Sequence, residues 1–285
     1  MPEYDRSAED VGNVQMLEHV NVTVPDQGLA ALFYVTGLGF TRDPYIDFGT
    51  HNMWVNLGEQ QFHLPQSDAQ ILRGEIAVVV PNLEDLAKRL KFVSKALKDT
   101  RFSWEEADQR VVLSCPWGNR IVAYPAGSFP AMDLGMPYVD MSVPPGTAPG
   151  IARFYESVMG CPVSVEPGRV KVAMGYNQKL IYTETEAPLA PYDGHHIAIY
   201  VSDFSGPHRF LHERGLISQE SDQHQYRFQK IVDPADDRGE AEPLFELEHE
   251  VRSLGHPMYR RPLVNRNPAV NFFTYRRGNE AFTPG

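Results

Sequence analysis

The chain has 285 residues, is 42% hydrophobic and 22% charged, and carries a formal net charge of −11. This suits a soluble globular protein of one large or two ordinary domains, and the acidity argues against nucleic acid or an anionic membrane as partner, since both need a basic face. No apolar run approaches the roughly 20 residues needed to cross a bilayer, residues 1–13 are too acidic for a signal peptide, and two cysteines, Cys115 and Cys161, fit a reduced, cytoplasmic chain.

Residues 1–13 read as a frayed lead-in. The strand over 17–24 alternates, carries His19 and ends at Pro25. Asp26 can cap a helix bearing Leu29, Leu32, Phe33 and Val35, which Gly37 can terminate. Segments 53–57 and 61–64 form a hairpin closed at Gly58-Glu59. The order is β-α-β-β-β, and it recurs. A second unit over 74–125 has Asn82 as a cap and Leu83, Leu86, Leu90, Val93 and Leu97 at helical spacing over 83–98. Its closing strands are 110–113 and 119–124. Residues 127–136 are small, proline- and glycine-rich, and read as a linker. The third unit, 137–184, repeats the first: Tyr138, Val143-Pro144, Phe154-Tyr155 and Met159-Gly160 echo His19, Val24-Pro25, Phe33-Tyr34 and Leu38-Gly39. The fourth starts at His195, with a helix over 206–214 and strands over 226–232 and 244–250. The acidic connection 233–243 is expected to be mobile, and the tail has no period.

Four such modules, with the punctuation Phe33-Tyr34…Gly37-Leu38-Gly39-Phe40 and a Gly118-Asn119-Arg120-Ile121 turn, resemble the vicinal oxygen chelate superfamily. That group includes glyoxalases, bleomycin resistance proteins and extradiol dioxygenases, and a chain of four modules looks most like the last. The resemblance implies an α+β fold: four βαβββ modules paired into two open, cup-shaped half-barrel domains. Pairing sequence neighbours gives domains at 14–126 and 137–265, with 266–285 as a tail.

In that superfamily a divalent metal sits in a cup, held from the first and last strands of each module. Aligning the first strands puts His19, Glu75, Tyr138 and His196 at one position. The last strands offer His63, Ala123, Tyr182 and Glu246 or Glu248, the two glutamates sharing a face. The first-choice metal set is therefore His19, His63 and Glu75, with Ala123 leaving a gap. The second choice is His196, Glu246 and Glu248. Two imidazoles and a carboxylate suit Fe(II), with Mn, Co or Zn as alternatives. Tyr138, which stands where the extradiol enzymes have a histidine, and His196 are the catalytic candidates of the second cup. Trp54, Trp117 and Tyr182 are candidates to line a substrate. His208 and His212 share a helix face and read as exposed polar residues.

The expected function is a metal-dependent, dioxygenase-like oxidoreductase acting on a small aromatic or dicarbonyl substrate. The alternatives are a lyase, isomerase or hydrolase on the same metal, or a metal-free ligand-binding protein of the bleomycin-resistance kind. The sequence leaves open whether the cups close within one chain or across a homo-oligomer.

Overall fold

The computed structural model describes residues 4–43, 46, 51–236 and 242–261. The first module holds β1 (Val14–Asn21), α1 (Gln27–Ala30, continuing as a π-helix over Ala31–Gly37), β2 (Thr41–Arg42), β3 (Asn52–Leu57) and β4 (Gln60–Pro65). The second holds β5 (Gly74–Val80), α2 (Leu83–Leu97), β6 (Ser103–Ala107), β7 (Arg110–Ser114) and β8 (Arg120–Pro125). The third holds β9 (Tyr138–Val143), α3 (Ala148–Arg153, then π-helical over Phe154–Val158), β10 (Val163–Glu166), β11 (Arg169–Ala173) and β12 (Lys179–Glu184). The fourth holds β13 (His196–Val201), α4 (Ser205–Glu213), β14 (Ile217–Asp222), β15 (Gln225–Ile231) and β16 (Phe245–Ser253).

Local chemistry explains the helices. Asp26 accepts from the Leu29 amide and Asn82 from the Asp85 amide, satisfying donors that a helix start leaves orphaned. Helix α2 buries Leu86, Leu90, Val93 and Leu97 on one face, each worth about 1.5–3 kcal/mol of transfer free energy. The Phe-Tyr punctuation also has a physical reason. Phe33-Tyr34 and Phe154-Tyr155 lie in π-helical turns, whose extra residue lets two consecutive aromatics face inward; all four are fully buried.

The modules pair differently from the sequence expectation. One eight-stranded sheet runs β14-β15-β16-β13-β1-β4-β3-β2 and the other β10-β11-β12-β9-β5-β8-β7-β6. Strand β1 pairs antiparallel with β13, and β5 with β9. The first module therefore joins the fourth, and the second joins the third. Within each module the first strand lies parallel to the last, so its other edge is open and can pair with the first strand of any other module. Residues 127–136 thus connect two modules of one sheet, and the division into 14–126 and 137–265 does not follow the hydrogen bonds.

The helix-bearing faces of the two sheets meet in one apolar core. Phe33 of α1 packs on Phe102 beside β6, and Phe154 on Phe228 of β15. Cys115 and Cys161 are buried and unpaired with each other. No helix among the described residues is long and apolar enough to cross a membrane. The tail 266–285 and residues 237–241 of the acidic connection lie outside the described residues; Asp233, at its start, is tied to Arg153 at 2.9 Å.

Candidate metal centre

A β-bulge builds the site. In β1, Leu17 opposes Ile199 and His19 opposes Ala198, so Glu18 is an extra residue. Leu17 and Val20 face the core, and the consecutive Glu18 and His19 both face the concave side. There Glu18 accepts a 2.9 Å hydrogen bond from His19 Nδ1 and a 3.2 Å bond from the Tyr200 hydroxyl, and it is also bonded by Arg252 Nη1. Burial opposes the charge on Glu18, but Arg252 and the bond from His19 outweigh it and hold the carboxyl down at about 2. An ionised carboxylate only accepts, so in the neutral His19 ring the lone pair is left on Nε2. That nitrogen is buried and has no hydrogen-bond partner.

Three elements bring potential ligand atoms together here. His19, His196 at the start of β13 and Glu250 on β16 each offer one such atom, all within 4.8 Å of one another, and all three residues are buried. Glu250 is also held by Arg227 and Arg252. Burial works against its charge, and Arg252, His19 and Arg227 pull its carboxyl below the usual range. His196 Nδ1 lies 3.5 Å from Glu248, which Arg227 holds at 2.7 Å. His63 on β4 is stacked between Trp54 at 3.4 Å and His19 at 3.5 Å. Its Nε2 donates to Gln61 Oε1 at 3.0 Å. Burial, then the nearby His19, pushes both His63 and His196 well below the usual histidine range.

These residues fit a divalent cation. A buried orphan imidazole nitrogen normally has a partner, and metal-ligating histidines almost always give their other N–H to a carboxylate or carbonyl. Glu18 supplies that second contact. The two guanidiniums on Glu250 keep it ionised and ready to ligate.

Strand register identifies the equivalent positions in the other sheet. Asn21, two residues after His19, pairs with His63, and Ala198, two after His196, pairs with Glu250. Likewise Ala77, two after Glu75, pairs with Val122, and Asp140, two after Tyr138, pairs with Ile181. The second cup therefore presents Glu75, Val122, Tyr138 and Ile181. Glu75 is bonded to Arg120 at 3.0 Å and to the Tyr138 hydroxyl at 3.2 Å, and Tyr138 also meets Tyr124 at 3.0 Å. Burial, then Tyr124 and Glu75, pushes the Tyr138 phenol up.

Several sequence expectations are corrected. Glu75 does not join His19 and His63, because its module pairs with the third. Tyr138 and His196 occupy different sheets for the same reason. Ala123 and Tyr182 are each one residue off, and a slip of one turns a strand side chain to the opposite face. Ala123 sits in the core. Tyr182 is buried in a chain on the helix-bearing side, its hydroxyl meeting that of Tyr155, which donates to His249 Nε2 at 2.6 Å. Glu246 accepts from Gln229 at 2.9 Å and lies outside the cluster. Glu248 touches His196 but is not in the three-residue set. Trp54 does line the cup, whereas Trp117 lies in the β7–β8 turn beside Arg101, away from it. His208 and His212 are stacked 5.7 Å apart on α4, with His208 on Glu220.

Sequence reasoning missed Glu18, Glu250 and Arg252. A bulge leaves no mark in a strand read as strictly alternating. Glu250 and Arg252 did carry a signal: both continue the face of Glu246 and Glu248, Glu250 inside the expected strand and Arg252 just beyond it, on a strand that runs to Ser253.

The sequence matches no family model and no curated protein. Solved structures do match. A Bacillus subtilis protein assigned as a dioxygenase is similar at 16% identity and a TM-score of 0.55, over 85% of this chain and 86% of that one. Glyoxalase I from Zea mays is similar at 13% identity and a TM-score of 0.55, over 84% of this chain and 92% of that one. At such identities the likeness is one of fold.

Proposed function

We propose, from the vicinal oxygen chelate fold that this chain shares with those structures, that the protein is a metal-dependent oxidoreductase of the dioxygenase kind. Its substrate is a small molecule with two neighbouring oxygens, aromatic or dicarbonyl. The observation that carries this reading is the buried His19, whose Nε2 has no partner and whose Nδ1 is on Glu18, clustered with His196 and Glu250. His63 lies outside the cluster of His19, His196 and Glu250, so the set is two imidazoles and one carboxylate, the pattern of non-haem Fe(II) oxygenases, which Mn, Co or Zn also fits. A divalent ion held there supplies Lewis acidity toward the substrate oxygens and, with iron, redox chemistry.

The chain's own groups have distinct tasks. Glu18, fixed by Arg252 and Tyr200, sets the His19 tautomer and ring direction. His63 and Trp54 form a stacked wall against which a flat substrate can lie. Glu248, 3.5 Å from His196 Nδ1 and steadied by Arg227, is the carboxylate beside the set that can accept a substrate proton.

Metal analysis of the purified protein tests this. The native chain should hold one divalent ion per chain, His19→Ala and Glu250→Ala should lose it, and Glu75→Ala should keep it. Oxygen uptake should then depend on that ion. A native protein without stoichiometric metal, or one whose metal leaves with Glu75, overturns the reading.

A further inference from the structure

The stacked imidazoles of the first cup are each tied to a carboxylate that an arginine holds. For His19 that carboxylate is Glu18, on Arg252. For His63 it is Asp43, and the tie runs through one more residue. Arg261 is ion-paired with Asp43 across 218 residues of sequence, and both side chains are almost fully shielded from solvent. The other Asp43 oxygen accepts from the Ile46 amide at 3.0 Å. Gln61 Nε2 lies 2.6 Å from Asp43 Oδ2 and 2.5 Å from Asn56 Oδ1, and Gln61 Oε1 lies 3.0 Å from His63 Nε2.

The donors and acceptors of these groups admit one arrangement. A guanidinium only donates, so the Asp43 paired with it is an ionised acceptor. Gln61 must turn its NH2 toward that carboxylate, because the reverse orientation would set a carbonyl oxygen against it. Asn56 Oδ1 takes the second N–H. Gln61 Oε1 is therefore left for His63, and the neutral ring must carry its proton on Nε2. The lone pair stays on Nδ1. That atom has no hydrogen-bond partner among the described residues and, unlike His19 Nε2, is not sealed from solvent. The two stacked rings thus hold opposite tautomers, His19 with its proton on Nδ1 and His63 with its proton on Nε2.

We infer that Asp43 and Arg261 are positioning residues of the first cup: acting through Gln61, they set the proton on His63 so that the ring offers an acceptor, Nδ1, to an occupant. This rests on the reading of that cup as the reacting site. Without the charge on Asp43 the Gln61 amide is free to turn. Its NH2 would then face His63 Nε2, the proton would move to Nδ1, and the wall would offer a donor instead. A staple that merely ties residue 261 to residue 43 would have no hold on that proton.

Long-range proton–nitrogen NMR of the full chain, labelled with 15N-histidine and loaded with zinc, reads the proton position on each ring. The signal lost in His63→Asn assigns His63. Native His63 should be the Nε2–H tautomer, in a chelator as well. Gln61→Met removes the acceptor and leaves the Asp43–Arg261 pair in place. The Nε2–H form should then fall about tenfold or more relative to Nδ1–H, the order expected when a buried donor loses its acceptor. Asp43→Asn keeps an oxygen for Arg261 but offers an N–H to Gln61, and should turn the amide and shift the tautomer the same way. Arg261→Lys keeps the charge and should retain the native tautomer. The inference is overturned by a native His63 protonated on Nδ1, or by a tautomer that survives both Gln61→Met and Asp43→Asn. Failure of the metal reading shows elsewhere, as His19 signals that are identical in zinc and in chelator.

Discussion

In the sheet built from the first and fourth modules, the four equivalent inward positions hold His19, His63, His196 and Glu250. In the other sheet they hold Glu75, Val122, Tyr138 and Ile181. The parallel pairing that defines these positions is the same in both. Two aliphatic side chains cannot ligate, and a phenol held protonated by burial and its neighbours is a poor ligand, so these four positions keep one carboxylate, Glu75, which is bonded to Arg120 and Tyr138. The surroundings differ as well. In the first cup the side chains of Glu18, Glu250 and Arg252 are at most 9% exposed, whereas the Arg120 side chain is 55% exposed. The proposed metal chemistry therefore rests on side chains placed on a shared frame and on how deeply their counter-charges are buried.

The largest contrast should appear when a guanidinium is removed from each cup. Arg252→Met leaves Glu18 and Glu250 charged and buried with weakened compensation, and losing one partner of a buried ion pair costs about 3–5 kcal/mol. Arg120→Met breaks an exposed pair of the kind worth about 0–1 kcal/mol. Urea unfolding of both variants measures the difference. Similar losses in the two would break the comparison, because the cups would then not differ in electrostatic depth.

The difference between the cups was only partly legible beforehand. The module order, the caps at Asp26 and Asn82 and the helical face of Leu86, Leu90, Val93 and Leu97 are local signals, and they hold. His19 and His63 were legible because each sits on a strand whose alternation is plain. Module pairing was not, since it depends on which open first-strand edges meet, and every edge looks alike in sequence. Ala123 and Tyr182 were misplaced because a strand's parity cannot be read reliably from its end. Glu18 was hidden by the bulge, and Arg252 lay beyond a strand end expected at 250; Glu250 lay inside it, but several glutamates share that face and alternation alone does not say which one reaches His19.

A smaller effect sharpens the first cup from within. Glu18→Gln retains shape and hydrogen-bond acceptance from Tyr200 but removes the charge that steadies the His19 N–H. Loss of such a supporting contact typically weakens metal binding 10–100-fold, about 1.4–2.7 kcal/mol in binding. Competition with a chromophoric chelator reads this directly. An unchanged affinity would mean that His19 is oriented by stacking on His63 alone.

The smallest effect belongs to the second cup. Tyr138→Phe deletes the hydroxyl that meets Glu75 and Tyr124 while leaving the ring to pack against Phe129, 6.2 Å away between centroids. Glu75 keeps Arg120, and both Glu75 and Tyr124 are partly solvated, so neither is stranded. The cost should be about 0.5–1.5 kcal/mol, the net value of an ordinary hydrogen bond. Metal content should not change, because nothing in this cluster touches His19, His196 or Glu250. If Tyr138→Phe did release the metal, the two cups would be energetically coupled through the shared core, and the division of roles drawn from their side chains would fail.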